Sequence, residues 1–427
     1  MSHRVVAFGT ALIVVAIAFG GYRWWGASME ARYERYVQAL RDSGEFVDEP
    51  PAREEIPPDQ NAAGPLGKAA KLFARLVEDT EFGYLLAECM LGVDYFQDFW
   101  DREQLEKVWP RLNDYFALLE AADQKPVFLP RPVVESLDDN PIGEVQDVCD
   151  LLQFRAWFRP ESTVPTILYL FRLSDKWIPT AYIERLIRIS VRIRALEILH
   201  RALRTGNVDT DALRAHWDVT PVADAVVSDL REILRGERSD FIRGCEKFRA
   251  GDDPFREFRE IHYRLPKPLT WHDRPYRHRA WLEPLEKLAN GIRCATSEDA
   301  LRRTLADGRL RARIHPSGLH RMRFALGHLA SLRLAQIAVA IRSDAAREGR
   351  ARDHLEDYAP SLSGRIPSNP FTGQPFSYER HHDMAVLSCP LVPEGARHRS
   401  LREYLERNFD SELLRWEIRW APAKAKD

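Results

Sequence analysis

Residues Val5 to Trp25 read VVAFGTALIVVAIAFGGYRWW, an apolar run with no charge before Arg23. As a helix rising 1.5 Å per residue, the run spans roughly 31 Å, close to the hydrocarbon thickness of a bilayer. Nine of its residues are Val, Ile, Leu or Phe, which together favour insertion by roughly 3 to 5 kcal/mol. Tyr22, Trp24 and Trp25 suit the headgroup layer, and Arg4 and Arg23 carry charge out to it. The run therefore predicts a transmembrane anchor over residues 1–27, with the lipid bilayer as its partner. The alternative is a cleaved signal peptide, for which Ala18-Phe19-Gly20 is a small-x-small site. The run exceeds an ordinary signal-peptide core and its aromatic belt lies beyond that site, so a retained single-pass span is the reading adopted.

Orientation follows less directly. Arg4 precedes the span while Arg23, Arg32, Arg35 and Arg41 follow it, so counted literally the positive-inside rule keeps the body in the cytosol. Long domains translocate largely regardless of flanking charge, and the expectation is an extracytoplasmic body.

After the anchor, Met29, Tyr33, Tyr36, Val37 and Leu40 recur at helical spacing among charged residues, predicting a juxtamembrane stalk helix over 28–44 that Gly44 ends. Residues 49–65, EPPAREEIPPDQNAAGP, contain five prolines and predict an extended Pro-rich linker over 45–65. From 66 to 427 helical periodicity dominates. Helices are expected at Leu66–Asp79, Gln97–Ala122, Val145–Phe158, Tyr182–Arg204, Thr210–Trp217, Pro221–Gly236, Ser239–Ala250, Arg279–Ile292, Ser297–Leu305 and His320–Arg347. In the second-last of these, Ser297 opens its helix as an N-cap. Phe376–Tyr378 and Met384–Leu387, separated by a polar turn, predict one short hairpin at about 374–389, followed by a charged C-terminal helix over His398–Phe409. The fold class is thus mainly α: an N-terminal transmembrane helix, a large multi-helical body and one short C-terminal β-hairpin.

Composition excludes several function classes. With 62 basic and 64 acidic residues the net charge is −2, so no nucleic-acid partner is expected. Five scattered cysteines without a C-x-x-C pair fit buried thiols better than a zinc ribbon or a disulfide scaffold. Phosphate-binding loops, dinucleotide fingerprints, zinc-protease helices and nucleophile elbows are all missing from the sequence, and no cofactor or metal is expected. The polar turn His381-His382-Asp383, with Cys389 and His398 nearby, reads as a solvated hairpin tip rather than a metal site. Arg185, Arg188 and Arg192 form an i, i+3, i+7 stripe on the least polar helix, where pairing with acids on a neighbouring helix is expected over an anionic ligand.

One stretch mixes arginine, histidine and aromatics densely. His262, Arg264, Trp271, His272, Arg274, Arg277, His278 and Trp281 suit stacking and anion contacts, and make the preferred interaction surface for a protein partner. Near the end, Asn369, Pro370, Phe371, Gly373 and Pro375 fix a turn: the prolines set φ, Gly373 permits positive φ, and Asn369 or Thr372 bonds nearby backbone N–H groups.

Two motifs carry a resemblance. RYVQALRDSGEF with PPDQNAAGPLGKAA, through Leu40, Gly44, Pro57, Pro58, Asn61, Ala62 and Ala63, resembles the opening of an uncharacterised family of bacterial single-pass membrane-anchored helical proteins. IPSNPFTGQPFSY is similar to that family's D-P-F-T-G-x-P-hydrophobic-x-Tyr turn, with Asn369 in place of Asp. The resemblance covers about a fifth of the chain and implies architecture, with no known activity. A turn similar to the second motif also precedes the terminal hairpin of type II secretion pseudopilins, whose processing site and intrahelical glutamate this chain lacks.

The function expected is non-catalytic: a membrane-anchored interaction or envelope-structural protein. The alternatives are an anchored enzyme, such as a hydrolase using His262, His272 and His278, and a secretion or pilus-like accessory factor.

Overall fold

The computed structural model describes residues 3–45, 55–79, 106, 109–130, 141–179, 182–206, 208–216, 222–250, 274–389 and 414–420. In chain order the α-helices are α1 (His3–Asp42), α2 (Ala63–Glu78), α3 (Asn113–Asp123), α4 (Pro141–Phe158), α5 (Thr163–Lys176), α6 (Tyr182–Thr205), α7 (Thr210–His216), α8 (Val222–Ala250), α9 (Arg274–Cys294), α10 (Glu298–Ala306), α11 (Gly308–Arg311) and α12 (Pro316–Glu348). The strands are β1 (Ser377–Arg380), β2 (Met384–Ser388) and β3 (Arg415–Arg419). The chain divides into two compact units, Met1–Ala52 with Leu230–Met322, and Arg53–Asp229 with Arg323–Asp427. The stalk residues 28–44 belong to the first of these units.

In the first unit α1 is one helix of 40 residues, roughly 60 Å long. It ends as the stalk pattern predicts. Gly44 has a φ of 70°, Glu45 N–H bonds to Leu40 C=O at 2.9 Å and Gly44 N–H to Arg41 C=O at 3.0 Å, a Schellman cap that only a residue tolerant of positive φ closes without strain. The amphipathic stripe is not a free-standing stalk. Tyr33, Val37 and Leu40 are buried in a core with Ile242, Cys245, Trp281, Leu282 and Leu285, flanked by Met29, Tyr36 and Phe241. Burial of side chains of this size contributes about 1.5 to 3 kcal/mol each, enough to bind the helix end into the unit.

Cross-links set the direction of each helix in this bundle. Tyr33 Oη donates to Glu246 at 3.3 Å and Arg238 Nη2 to Glu45 at 2.7 Å, so α8 runs antiparallel to α1. Trp281 lies tilted against Tyr33 and Tyr36 Oη reaches Leu285 C=O at 3.4 Å, so α9 runs parallel to it. The break expected near Gly236 does not occur: α8 is continuous, because Ile233, Leu234, Arg238 and Ile242 are all buried along it. Ser297 caps α10 as expected, its Oγ accepting from Ala300 N–H at 3.2 Å.

In the second unit α5 packs on α6, α2 on α3 and α4, and α4 on α6. The core of α6 includes Ile189, Val191, Leu196, Ile198, Leu199 and Leu203. The arginine stripe on its side is paired by acids. Arg185 lies 3.2 Å from Asp229, Arg188 forks onto both oxygens of the same carboxylate, and Arg192 reaches Asp175 at 2.7 Å. The helix Pro316–Glu348 is long and apolar enough to cross a membrane, but 83% of its most apolar stretch is buried, which is the pattern of a core helix.

The linker is pinned from its end. Ala62 N–H bonds to Val127 C=O at 2.8 Å, Asn61 Nδ2 donates to Leu129 C=O at 3.0 Å, and Asn61 Oδ1 accepts from both Leu129 N–H and Ala63 N–H. Asn61 thus clasps a distant backbone and also holds the first N–H of α2, which begins at Ala63 instead of Leu66. Of the helix expected over 97–122, the described part opens as a 3-10 turn, Trp109–Leu112, and continues as α3.

The hairpin is the first two strands of a three-stranded antiparallel sheet, order β1-β2-β3. Ser377 pairs with Ser388, and Met384 with Arg419. β3 corrects the expectation of a lone hairpin. Trp416 and Ile418 are fully buried between more exposed neighbours, and Trp416 lies against His200 of α6 with ring centroids 5.0 Å apart. The helix expected over His398–Phe409 lies outside the described residues. Cys149, Cys245, Cys294 and Cys389 form no disulfide among the described residues.

Candidate functional site

The residues singled out in the sequence separate in the structure. His262, Arg264, Trp271 and His272 lie outside the described residues. Arg274, Arg277 and His278 fall on the first turns of α9. Trp281 is not part of a surface: it is 1% exposed, with its ring 5.4 Å from Tyr33, so the indole serves the core of the first unit.

The turn at Asn369 is built as its residue types require. Asn369 is fully buried; its Oδ1 accepts from Phe371 N–H at 2.9 Å and from Cys389 Sγ at 3.3 Å. Gly373 N–H closes onto Asn369 C=O at 2.7 Å with a φ of 72°, and Thr372 Oγ1 accepts from Gln374 N–H. Pro370 and Pro375 frame this turn, which is structural. The His381-His382-Asp383 tip and Cys389 stand at opposite ends of β2, roughly 20 Å apart at strand rise, and Asp383 pairs with Arg419 at 3.0 Å. Among the described residues no group of three or more His, Cys, Asp or Glu side chains has metal-binding geometry.

The second unit instead offers a polar cleft of about 370 Å³, lined by Arg214, Gln336, Val339, Ala340, Pro360, Ser361, Leu362 and Ser363. It is held by a buried carboxylate. Asp344, 2% exposed, accepts from Ser361 Oγ at 2.7 Å and from Arg347, while Arg352 and Arg214 lie 3.2 and 3.7 Å away. Arg214 Nη2 also donates to Ser361 C=O at 3.3 Å. Three guanidiniums around one carboxylate compensate a charge that burial alone would penalise.

Local structure explains the positions. α7 starts under an Asp209 cap, whose Oδ1 accepts from Asp211 N–H at 3.1 Å and Ala212 N–H at 3.3 Å, and Ser343 Oγ bonds to Asp211 at 2.6 Å. This fixes Arg214 beside α12. The opposite wall is the 3-10 helix Leu355–Leu362, opened by a capping box between His354 and Asp357 and closed by Ser363 in the left-handed region at φ 58°. A serine there is strained relative to glycine, and it sits in the cleft lining. Below it Tyr378 Oη donates to Arg352 C=O at 2.7 Å, and burial pushes the Tyr358 and Tyr378 hydroxyls up.

The polar lining is one guanidinium, an amide and two hydroxyls on an apolar floor. These groups donate and accept hydrogen bonds, and the Ser361 hydroxyl is committed to Asp344. The arrangement is suited to recognition of a polar group. No signal in the sequence joins Arg214 to Asp344, 130 positions apart.

No protein family, no curated protein and no solved structure matches this chain.

Proposed function

We propose that the chain is a single-pass membrane-anchored protein whose helical units act as a non-catalytic interaction or structural element of the bacterial envelope, on its extracytoplasmic side. The observation that carries this reading is the continuity of α1. The same helix that begins with the apolar run Val5–Trp25 ends with Tyr33, Val37 and Leu40 packed into the first unit. An anchor joined without a break to a folded unit fits a protein held at a defined distance from a membrane. The polar cleft at Arg214 and Ser361 supports a binding role for the second unit, since its lining supplies recognition groups.

The test is fractionation of cells expressing the full chain. Retention in the membrane pellet after alkaline carbonate extraction, with an N-terminus that still includes Val5, is expected. Release by carbonate, or a mature N-terminus just after Gly20, would falsify the anchor. A Lys68→Cys variant reports the side, because Lys68 is exposed on α2. Labelling of intact cells by a membrane-impermeant maleimide is expected at position 68; labelling only after permeabilisation puts the body in the cytosol.

A further inference from the structure

The polar cleft of the second unit has a direction as well as a lining. Gln336 and Asp344 stand two turns apart on α12, about 12 Å at helix rise, with Val339 and Ala340 between them. Arg214 is held at the Asp344 end, donating to Ser361 C=O at 3.3 Å. The cleft therefore has a guanidinium at one end and a carboxamide at the other, and the nearly buried Val339, Ala340 and Leu362 lie along it. Its volume of about 370 Å³ falls within the range of sites that enclose small molecules, about 300 to 1,000 Å³.

Both ends have bonding capacity left over. Arg214 stands 3.7 Å from Asp344, beyond hydrogen-bond reach, because Ser361, Arg347 and Arg352 surround that carboxylate more closely. Apart from the bond to Ser361, the N–H groups of Arg214 have no acceptor among the described residues, and neither the Gln336 carboxamide nor the Ser363 hydroxyl forms a hydrogen bond among them. A guanidinium fork matches an anion with two coplanar oxygens. The Asp344 charge so close by disfavours a dianion, so a carboxylate suits the site better than a phosphate. A carboxamide offers one acceptor and two donors, the complement of a peptide group. An extended peptide rises about 3.3 Å per residue, so the distance from Arg214 to Gln336 corresponds to the last three or so residues of a chain.

We propose that the cleft takes the C-terminal end of a peptide chain. The terminal carboxylate bonds to Arg214 and the Ser363 hydroxyl, a side chain lies on Val339, Ala340 and Leu362, and an upstream peptide group bonds to Gln336. The proposal rests on the reading of the cleft as a binding site and names its ligand; it does not depend on the membrane anchor.

The test is isothermal titration calorimetry of the full chain in detergent with three probes: acetyl-Ala-Ala-Leu with a free carboxylate, the same peptide as its C-terminal amide, and acetyl-leucine. The carboxylate peptide is expected to bind about tenfold tighter than the amide, and tighter than acetyl-leucine, which is too short to reach Gln336. Arg214→Gln removes the preference for the carboxylate. Because Arg214 also supports Ser361, two further variants leave that contact in place. Ser363→Gly, which relieves the positive φ, weakens the carboxylate peptide and leaves the amide unchanged, and Gln336→Ala erases the advantage of the tripeptide over acetyl-leucine. Equal binding of carboxylate and amide overturns the proposal and leaves the cleft a binding site. Acetyl-leucine binding as tightly as the tripeptide also overturns it, in favour of a free acylated amino acid, and so does displacement of the tripeptide by an equal concentration of inorganic phosphate. Binding of none of the three probes overturns it outright, while the anchored reading is decided separately by the carbonate extraction.

Discussion

Tyr33 and Trp281 meet with ring centroids 5.4 Å apart and planes inclined at 57°, joining the far end of α1 to α9. Both rings are fully buried. Truncating Trp281 to alanine removes one of the largest buried side chains of the first unit and is expected to cost about 3 to 5 kcal/mol. A double-mutant cycle with Tyr33→Phe and Trp281→Phe isolates the ring contact, for which a coupling of about 0.5 to 1.5 kcal/mol is expected. Denaturant unfolding of the full chain in detergent, followed by proteolysis within residues 274–322, reads both quantities; a coupling of zero means that the rings are merely adjacent.

Asp229 is 3% exposed and carries the charge of both Arg185 and Arg188. Asp229→Ala leaves two guanidiniums half-buried without their carboxylate and is expected to destabilise the second unit by about 3 kcal/mol. Replacing all three by leucine or methionine removes the charges together and is expected to be close to neutral. A triple variant as unstable as Asp229→Ala would show that the network is worth more than its parts.

His328 is fully buried, and neither ring nitrogen has a hydrogen-bonding partner among the described residues. Burial, with the nearby Arg192 charge adding to it, pushes its pKa down to about 3. A depressed histidine pKa means that the folded state resists protonation. The stability this confers is complete above the ordinary value of 6.5 and is lost as pH falls from there toward 3, by up to about 5 kcal/mol in all. His328→Leu removes the titration and two unpaired polar atoms, and is expected to gain about 1 kcal/mol at pH 7 and more at pH 5. Thermal melts of parent and variant across that range check it; parallel curves refute the assignment.

Asp147 works in the opposite direction. Burial first, then the Asp150 and Glu144 charges on the same helix, push its pKa up to about 6. A raised carboxyl pKa stabilises the fold below the ordinary value of 3.8, and that contribution is lost as pH rises through 6. Asp147→Asn is therefore expected to stabilise the protein at pH 7.5, by about 1 kcal/mol after solvent screening, and to match the parent below about pH 4. Melting temperatures at the two pH values decide.

Local signals in the sequence mapped well where the structure is local. The Gly44 cap, the Ser297 cap and the Asn369–Pro375 turn each depend on residues within six positions of one another, and each has the geometry its residue types dictate. The arginine stripe on α6 also read correctly, because an unpaired charge on a nearly apolar helix demands an acid. What escaped depends on partners far along the chain. β3 is five residues whose Trp416 and Ile418 alternate inward, but a strand this short takes its identity from pairing with β2 rather than from its own propensity. Trp281 looked like part of an aromatic, basic surface because its neighbours in sequence are; its burial comes from α1, some 250 positions away. The Arg214 cleft joins α7, α12 and a 3-10 helix, and no periodicity within any one of them announces it.

The packing of α1 on α9 also sets a timetable for biosynthesis. Tyr36 and Leu285 are separated by 249 positions, and a ribosome adding about 5 to 20 residues per second needs roughly 12 to 50 s to cross that distance. For that interval the apolar face of Tyr33, Val37 and Leu40 has left the ribosome while the helix that will cover it has not been made. That face gains its first partners, Ile242 and Cys245, when α8 is made, and is closed only when Trp281, Leu282 and Leu285 of α9 follow.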